Sequence, residues 1–383
     1  MSLEPNSAKI LHIRTMSGSE IVVAADDVRD VRSLKQHLQS KGEGSRFRML
    51  LMHGDRLFKD DCSVLELPTD LQMVSLNFAD TSEDQVGDLM EAAFLGSVAW
   101  LEELLQRPQD PNRTLPDPLG RPPLRRHTAL GAAADGGNAK AVRILLEACA
   151  DTEGCAASES DEVPALAQAA AQRHVQVVRI LLEAGASTES KGILAGIRVT
   201  PLLAAIQSYR PQGPDEKSME IVQLLLEARA DPNFVGQAPR DVQHDSRPLV
   251  AACQGGHLEV ARLLLEGSLR GDVLPPAARA HVAPALVVAS SKGYLEIQRL
   301  LQESAPTVLE ISTPQQMSHL DSFTPLLLAA TWGHVGIVRL LLEAHADPHT
   351  VYGPDGLTAL SEAAAGGHLE TVRLLLGRQG LIP

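Results

Sequence analysis

Thirteen histidines and four cysteines are the side chains of this 383-residue chain best suited to metal binding or nucleophilic chemistry. Three histidines, His257, His334 and His368, recur at one point of a repeated phrase, after a glycine and before an aliphatic run. A metal site needs His, Cys or carboxylates converging at short spacings. These histidines recur one or more repeats apart instead, so they occupy equivalent turns, and a backbone-bracing role is expected of them. Cys62, Cys149, Cys155 and Cys253 contain no C-x-x-C pair. They read neither as a disulfide framework nor as a zinc site, and they suit a reducing compartment. Cys253 replaces the second alanine of an Ala-Ala pair and reads as packing. Cys62 falls in an expected loop, where a reactive thiol has no supporting partner. The chain holds no G-x-x-x-x-G-K-[ST], G-x-G-x-x-G, G-x-S-x-G or H-E-x-x-H. No catalytic residue, cofactor or metal is expected, and the chain reads as non-enzymatic. The rival, an enzyme with an unrecognised site, is open to a hydrolase or ligase screen.

The elements that position these residues follow from an internal repeat. Arg247 to Glu266 reads RPLVAACQGGHLEVARLLLE, Thr324 to Glu343 reads TPLLLAATWGHVGIVRLLLE, and Thr358 to Leu376 reads TALSEAAAGGHLETVRLLL. Weaker copies begin near Asp88, Thr128, Pro164, Thr200 and Pro284, which makes eight. Leu326, Ala329 and Ala330 share one helical face, Gly333 breaks the helix, and Ile337, Val338, Leu341 and Leu342 form the face of a second. Neither short helix could bury its stripe alone, so neighbouring copies must stack. Asp110-Pro111-Asn112, Asp231-Pro232-Asn233 and Asp347-Pro348-His349 are turn chemistry after the second helix.

Composition agrees. Hydrophobic residues make up 44% and aromatics only 3%, a mix of Ala and Leu that suits stacked helices. The net charge is −14, nearly all of it after residue 80, because residues 9–80 hold 10 Lys and Arg against 11 Asp and Glu. That sign disfavours nucleic acid and fits basic protein partners. Met1 to Lys9 is polar, with no apolar signal core. The longest uncharged run, Ser322 to Val338, contains turn signals and reads as a buried helix pair, so no membrane partner is expected.

These copies resemble ankyrin repeats, whose signature is T-P-L-H-x-A, a G-H turn and a V-x-x-L-L helix. The resemblance spans roughly three quarters of the chain. Its departures have physical consequences. The intervals between Thr128, Pro164, Thr200, Arg247, Pro284, Thr324 and Thr358 mostly exceed the family period of about 33 residues, and residues 207–218 form an insertion inside one copy. Met90, Gly131, Ala167, Leu203, Val250, Val287, Leu327 and Ser361 stand where the family has His, so a hydrogen-bond network is lost. The helix-ending glycine survives as Gly185, while Cys149, Arg229 and His345 replace it elsewhere, each at a cost of about 1 kcal/mol.

Residues 9–78 read differently. Leu11 and Ile13 alternate with polar neighbours, Ser17-Gly18 turns, and Ile21 and Val23 continue the alternation. Val28 to Ser40 is helix-like, Phe47 to Met52 and Leu57 read as strands, and Leu71 to Phe78 is a final strand. This order, with Thr15-Met16-Ser17-Gly18, Arg48 to Leu51 before Gly54, and Asp60-Asp61 before Ser63-Val64-Leu65, resembles the ubiquitin-like grasp. Asn77-Phe78-Ala79-Asp80 stands where conjugable members carry Gly-Gly, so the resemblance implies a built-in recognition domain.

The expected architecture is therefore mainly α: a disordered start, 1–8, a small α+β ubiquitin-like (β-grasp) domain, 9–80, an ankyrin-repeat helical solenoid, 81–380, and a tail, 381–383. The seven residues after Leu376 leave no room for the short C-terminal box of some ankyrin proteins. The ankyrin resemblance implies a groove lined by first helices: Glu91, Phe94 and Leu95; Gln168 and Gln172; Gln254; Val288, Ser291 and Lys292; Leu328, Thr331 and Trp332. Trp332 either stands open as an anchor or folds over a neighbouring repeat. The first domain is expected to cover Phe94 and Leu95, while Trp100 reads as core and Leu374 and Leu375 as frayed or covered by a partner. Arg121, Arg125, Arg126 and His127 cluster in one finger and read as a solvated loop, or as a contact for an acidic partner. The ubiquitin-like resemblance implies an apolar patch at Met16 and Leu51. Together these imply a cytoplasmic or nuclear, monomeric adaptor that holds a client protein in the groove and docks on a ubiquitin receptor or the proteasome. The alternative is a plain scaffold whose first domain only caps the solenoid.

Overall fold

A computed structural model describes residues 9–107, 109–116, 126–153, 163–194, 197–207, 216–234, 247–268, 276–305, 324–352 and 356–377. The expected disordered start, the centre of the insertion, the tail, Cys155, Arg121 and Arg125 lie outside these residues. The chain divides into two compact units, Met1–Ala165 with Glu183–Ala186, and Leu166–Leu182 with Ser187–Pro383.

The first unit opens with strands β1 (Ile10–Thr15) and β2 (Glu20–Ala24), helix α1 (Val31–Ser40), and strands β3 (Met49–His53), β4 (Arg56–Phe58) and β5 (Asp70–Ser75). The sheet order is β2-β1-β5-β3-β4, with β1 and β5 parallel and the other neighbours antiparallel. Alternation sends Leu11 and Ile13 inward to meet Val31, Leu34 and Leu38 of α1, with Met49, Leu71 and Met73 completing the core. The helix starts at Val31, not Val28, because Asp30 caps it. The Asp30 carboxylate accepts from the Ser33 backbone N–H while the Ser33 hydroxyl accepts from that of Asp30. That backbone hydrogen bond holds the Asp30 carboxyl below its ordinary range. The third strand begins at Met49, not Phe47, because Arg46–Arg48 form a 3-10 turn capped by Ser45. The last strand stops at Ser75.

Two helical hairpins follow in this unit: α2 (Glu83–Leu95) with α3 (Val98–Gln106), and α4 (Ala129–Asp135) with α5 (Ala139–Glu147). Ala92, Ala93, Ala133 and Ala134 are fully buried, and their small side chains let α2 and α4 approach closely. Between the hairpins, β6 (Leu115–Pro116) pairs with β7 (Arg126–His127).

Six more hairpins lie among the described residues: α6 (Ala165–Ala171) with α7 (Val175–Glu183), α8 (Pro201–Gln207) with α9 (Glu216–Glu227), α10 (Pro248–Gly255) with α11 (Leu258–Ser268), α12 (Pro276–Lys292) with α13 (Leu295–Ser304), α14 (Pro325–Thr331) with α15 (Val335–Glu343), and α16 (Ala359–Ala365) with α17 (Leu369–Gly377). Strands β8 (Gly192–Leu194) and β9 (Ile197–Val199) form one finger. Thr324 and Thr358 accept from the backbone N–H of Leu327 and Ser361, starting their helices. The three Asp-Pro turns form as expected: Asp110, Asp231 and Asp347 accept from the backbone N–H two residues on. Helix α12 begins at Pro276 and carries Pro284 inside it, so it is longer than the repeat phrase implies and lacks the Pro284 N–H bond. Cys149, Arg229 and His345 adopt positive φ, as the missing glycines imply, and Arg173 joins them at +63°.

Candidate protein-binding surfaces

The expected groove positions flank the buried small pair of the first helices, and the tight turn that follows holds the backbone of several of them. His368 donates from Nε2 to the Thr331 carbonyl at 3.0 Å, and His334 donates likewise to the Ser291 carbonyl at 3.2 Å. In the first unit the Asn138 amide takes the same part, donating to the carbonyls of Ala93 and Phe94. The braced residues Thr331, Ser291 and Phe94 are three of the expected groove positions, so at these three turns one repeat pins the backbone of the repeat before it. The bracing role expected of His334 and His368 is what they perform. Gly333, at φ +68°, lies under the His368 ring and leaves no room for a Cβ.

Trp332 ends α14 with 62% of its surface open, so it stands free instead of folding over a neighbour. Gln172 and Lys292 are exposed, and Gln254, Val288, Leu328 and Thr331 are half-buried. Gln168 departs from expectation. It is buried, with no hydrogen-bond partner for its Oε1, on a helix whose residues from Ala165 to Ala170 are all buried. Leu375 is fully buried and Leu374 half-buried, so this last helix is seated, not frayed. Trp100 is half-buried.

In the first unit Phe94 and Leu95 stay 48% and 61% exposed, so the N-terminal domain does not cover them. Met16 is 79% exposed at the hairpin tip. Leu51, expected beside it in an apolar patch, is fully buried in the domain's core. The pleat explains the correction: a shift of one residue reverses the face of a strand, and the neighbours Leu50 and Met52 point outward. They share the outer face with Val74 of β5, across from Leu50, and Leu57 of β4, across from Met52. Val22 of β2 is exposed too.

Sequence reasoning missed Arg46. Its side chain is only 2% exposed, yet it meets three carboxylates: Glu147 at 2.6 Å, Glu102 at 3.1 Å and Asp60 at 3.8 Å. Glu102 lies on α3 and Glu147 ends α5, so this one guanidinium ties the N-terminal domain to both hairpins. Arg32 adds a second bond to Glu102, and Lys35 holds Asp60 at 2.6 Å. Ser45 and Gln39 each donate at 2.8 Å to the Glu147 carbonyl, one of the acceptors a helix C-terminus leaves open. A cation at that end also meets the negative pole of α5.

Among the described residues no group of His, Cys, Asp and Glu could hold a metal, and no helix is long and apolar enough to cross a membrane. Cys253 is buried as a packing residue, and burial pushes its thiol up to about 12. Cys149 is exposed and Cys62 half-buried.

Paired short helices, joined by tight turns and stacked through small residues with hairpin fingers between copies, define a helical-repeat protein. The family description "Ankyrin repeats (3 copies)" matches residues 89–192 and 286–381, and "Ankyrin repeat" matches residues 245–274. The chain belongs to the ankyrin-repeat family. The solved ankyrin repeat domain of human ASB11 is similar over 65% of this chain and 98% of its own, at 24% identity and a TM-score of 0.45. No curated protein matches this chain. Ankyrin repeats are generally non-catalytic interaction modules, and they mark the chain as a protein–protein interaction scaffold.

Proposed function

We propose that this scaffold is an adaptor. Its repeats, 81–380, hold a client protein against Trp332, Leu328, Thr331, Val288, Lys292, Gln254 and Gln172. Its first domain, 9–80, is a ubiquitin-like module that docks on a ubiquitin receptor or the proteasome, in the cytoplasm or nucleus. The strand and helix order and the sheet order support the ubiquitin-like reading. The observation that carries the adaptor is the Arg46 contact. It engages the domain through the 3-10 turn beside α1, while Met16, Val22 and Leu57 remain exposed. A domain held by one side and apolar on another suits a second partner, and the mechanism is effective concentration without chemistry. The rival reading, in which the domain only stabilises the repeats, draws on the same buried Arg46.

Capture from lysate by the full chain separates the two. Met16→Asp with Leu57→Asp changes only exposed side chains of the first domain, and Trp332→Ser changes only the groove. The adaptor predicts proteasome or ubiquitin-receptor subunits that the first variant loses, and clients that the second loses. If the first variant captures the same proteins as the parent chain, the docking role is wrong and the domain is a stabiliser.

A further inference from the structure

We propose that the open face of α2 is a docking surface for a basic segment of a partner protein that also carries bulky apolar side chains. Asp84, Asp88, Glu91 and Leu95 fall in one stripe along α2, with Glu83 and Phe94 beside it, and all six are exposed. From Asp80 to Gln106 the chain has no Lys, Arg or His. Glu102 is taken up by Arg46 and Arg32. Among the described residues no ion pair uses Glu83, Asp84, Asp88 or Glu91, so these exposed carboxylates have no basic side chain paired with them.

A terminal helix of a repeat array needs a polar outer face for solubility, and the four carboxylates alone would provide it. Phe94 and Leu95 do not fit that role. They sit at the end of the same stripe, on backbone that Asn138 pins through the Phe94 carbonyl. A fixed pair of large apolar side chains beside unpaired like charges is complementary to a segment of opposite charge with an apolar anchor at one end. The stripe from Asp84 to Leu95 is about 16 Å long at 1.5 Å per residue. That length matches about five residues of extended chain or about eleven of helix.

The inference rests on the scaffold reading, and its α2 variants leave the client-binding residues proposed around Trp332 untouched. The full chain is titrated into a fluorescein-labelled Lys/Leu peptide about twelve residues long, the length of the stripe as helix, and into a control peptide with serine in place of leucine. The Lys/Leu peptide should bind, and the control at least tenfold more weakly. Phe94→Ser with Leu95→Ser should weaken binding at least tenfold, as should Asp88→Lys with Glu91→Lys, which should also flatten the salt dependence. Trp332→Ser should leave it unchanged. All four α2 positions are exposed, so the variants' unfolding curves should match that of the parent chain. Equal binding of both peptides, or binding indifferent to the α2 variants, overturns the proposal. If client capture still depends on Trp332, only the α2 assignment falls and the scaffold reading stands.

Discussion

Replacing Arg46 with Met should loosen the first unit from its middle. The substitution keeps the aliphatic stem and removes the guanidinium that meets Glu147, Glu102 and Asp60. Breaking a buried pair by deleting one partner typically costs 3–5 kcal/mol, because the remaining charge is stranded. Glu147 retains 34% of its side-chain surface and Glu102 17%, so water can reach both, and the lower end, about 3 kcal/mol, is expected. That is a large share of the roughly 5–15 kcal/mol that holds a domain folded. Trp100, on α3 two residues before Glu102, reports it. The chain has two tryptophans, so a Trp332→Phe background leaves Trp100 alone. With a urea slope of about 2–3 kcal/mol/M, the Trp100 transition should move down by about 1–1.5 M. Adding Glu102→Gln and Glu147→Gln should recover much of the loss, since no charge is then stranded. Arg46→Lys should fall between, because one ammonium cannot serve three carboxylates in that fork geometry. A midpoint unchanged in Arg46→Met, or no recovery in the triple variant, would refute the reasoning.

Arg173, Arg229 and His345 hold left-handed backbone without being glycine. Glycine at each should stabilise by about 0.5–1 kcal/mol, the relief of strain less the added freedom of the unfolded chain, and calorimetry of the triple variant should show a higher Tm; an unchanged or lower Tm counts against it. Gly333→Ala should destabilise by about 2 kcal/mol, because φ is +68° and the new Cβ displaces the His368 ring from the Thr331 carbonyl. A urea midpoint equal to the parent's would show that the turn has slack. Native alkylation should modify exposed Cys149 quickly and leave Cys253, whose thiol burial pushes up to about 12, unmodified until denaturant is added; fast labelling of a Cys253-only variant would sink that expectation.

The repeats were legible because each carries two helical stripes and a turn, so period, pairing and turn chemistry reinforce one another. The strain at Cys149, Arg229 and His345 was legible by phase, since a residue stood where the repeat needs glycine. Arg173 carried the same signal, in QRH against the GGH of other copies, and was overlooked. Leu51 failed for a different reason. Alternation tells that a strand has two faces, but which face is inner depends on pairing with β5 and β4, and the 3-10 turn at Arg46–Arg48 shifts where β3 begins. Arg46 itself left no trace. Glu102 and Glu147 lie 56 and 101 residues away, and no local pattern marks an arginine that will be buried by elements not yet formed.

The contact at Arg46 also bears on how an adaptor of this shape would work. Two binding surfaces joined by a flexible linker gain from effective concentration only as far as the linker's length permits. Here the strands end at Ser75, α2 begins at Glu83, and Arg113 donates to the Thr81 carbonyl within that short connection. With the connection tethered and the domain fixed to α3 and α5, the outer sheet face and the face of α2 belong to one body. A partner on the sheet and a basic segment on α2 would then meet at a set distance, with little entropy left to lose. Arg46→Met should therefore weaken joint binding of two such partners more than it weakens either alone, because it releases the geometry and leaves both surfaces chemically intact.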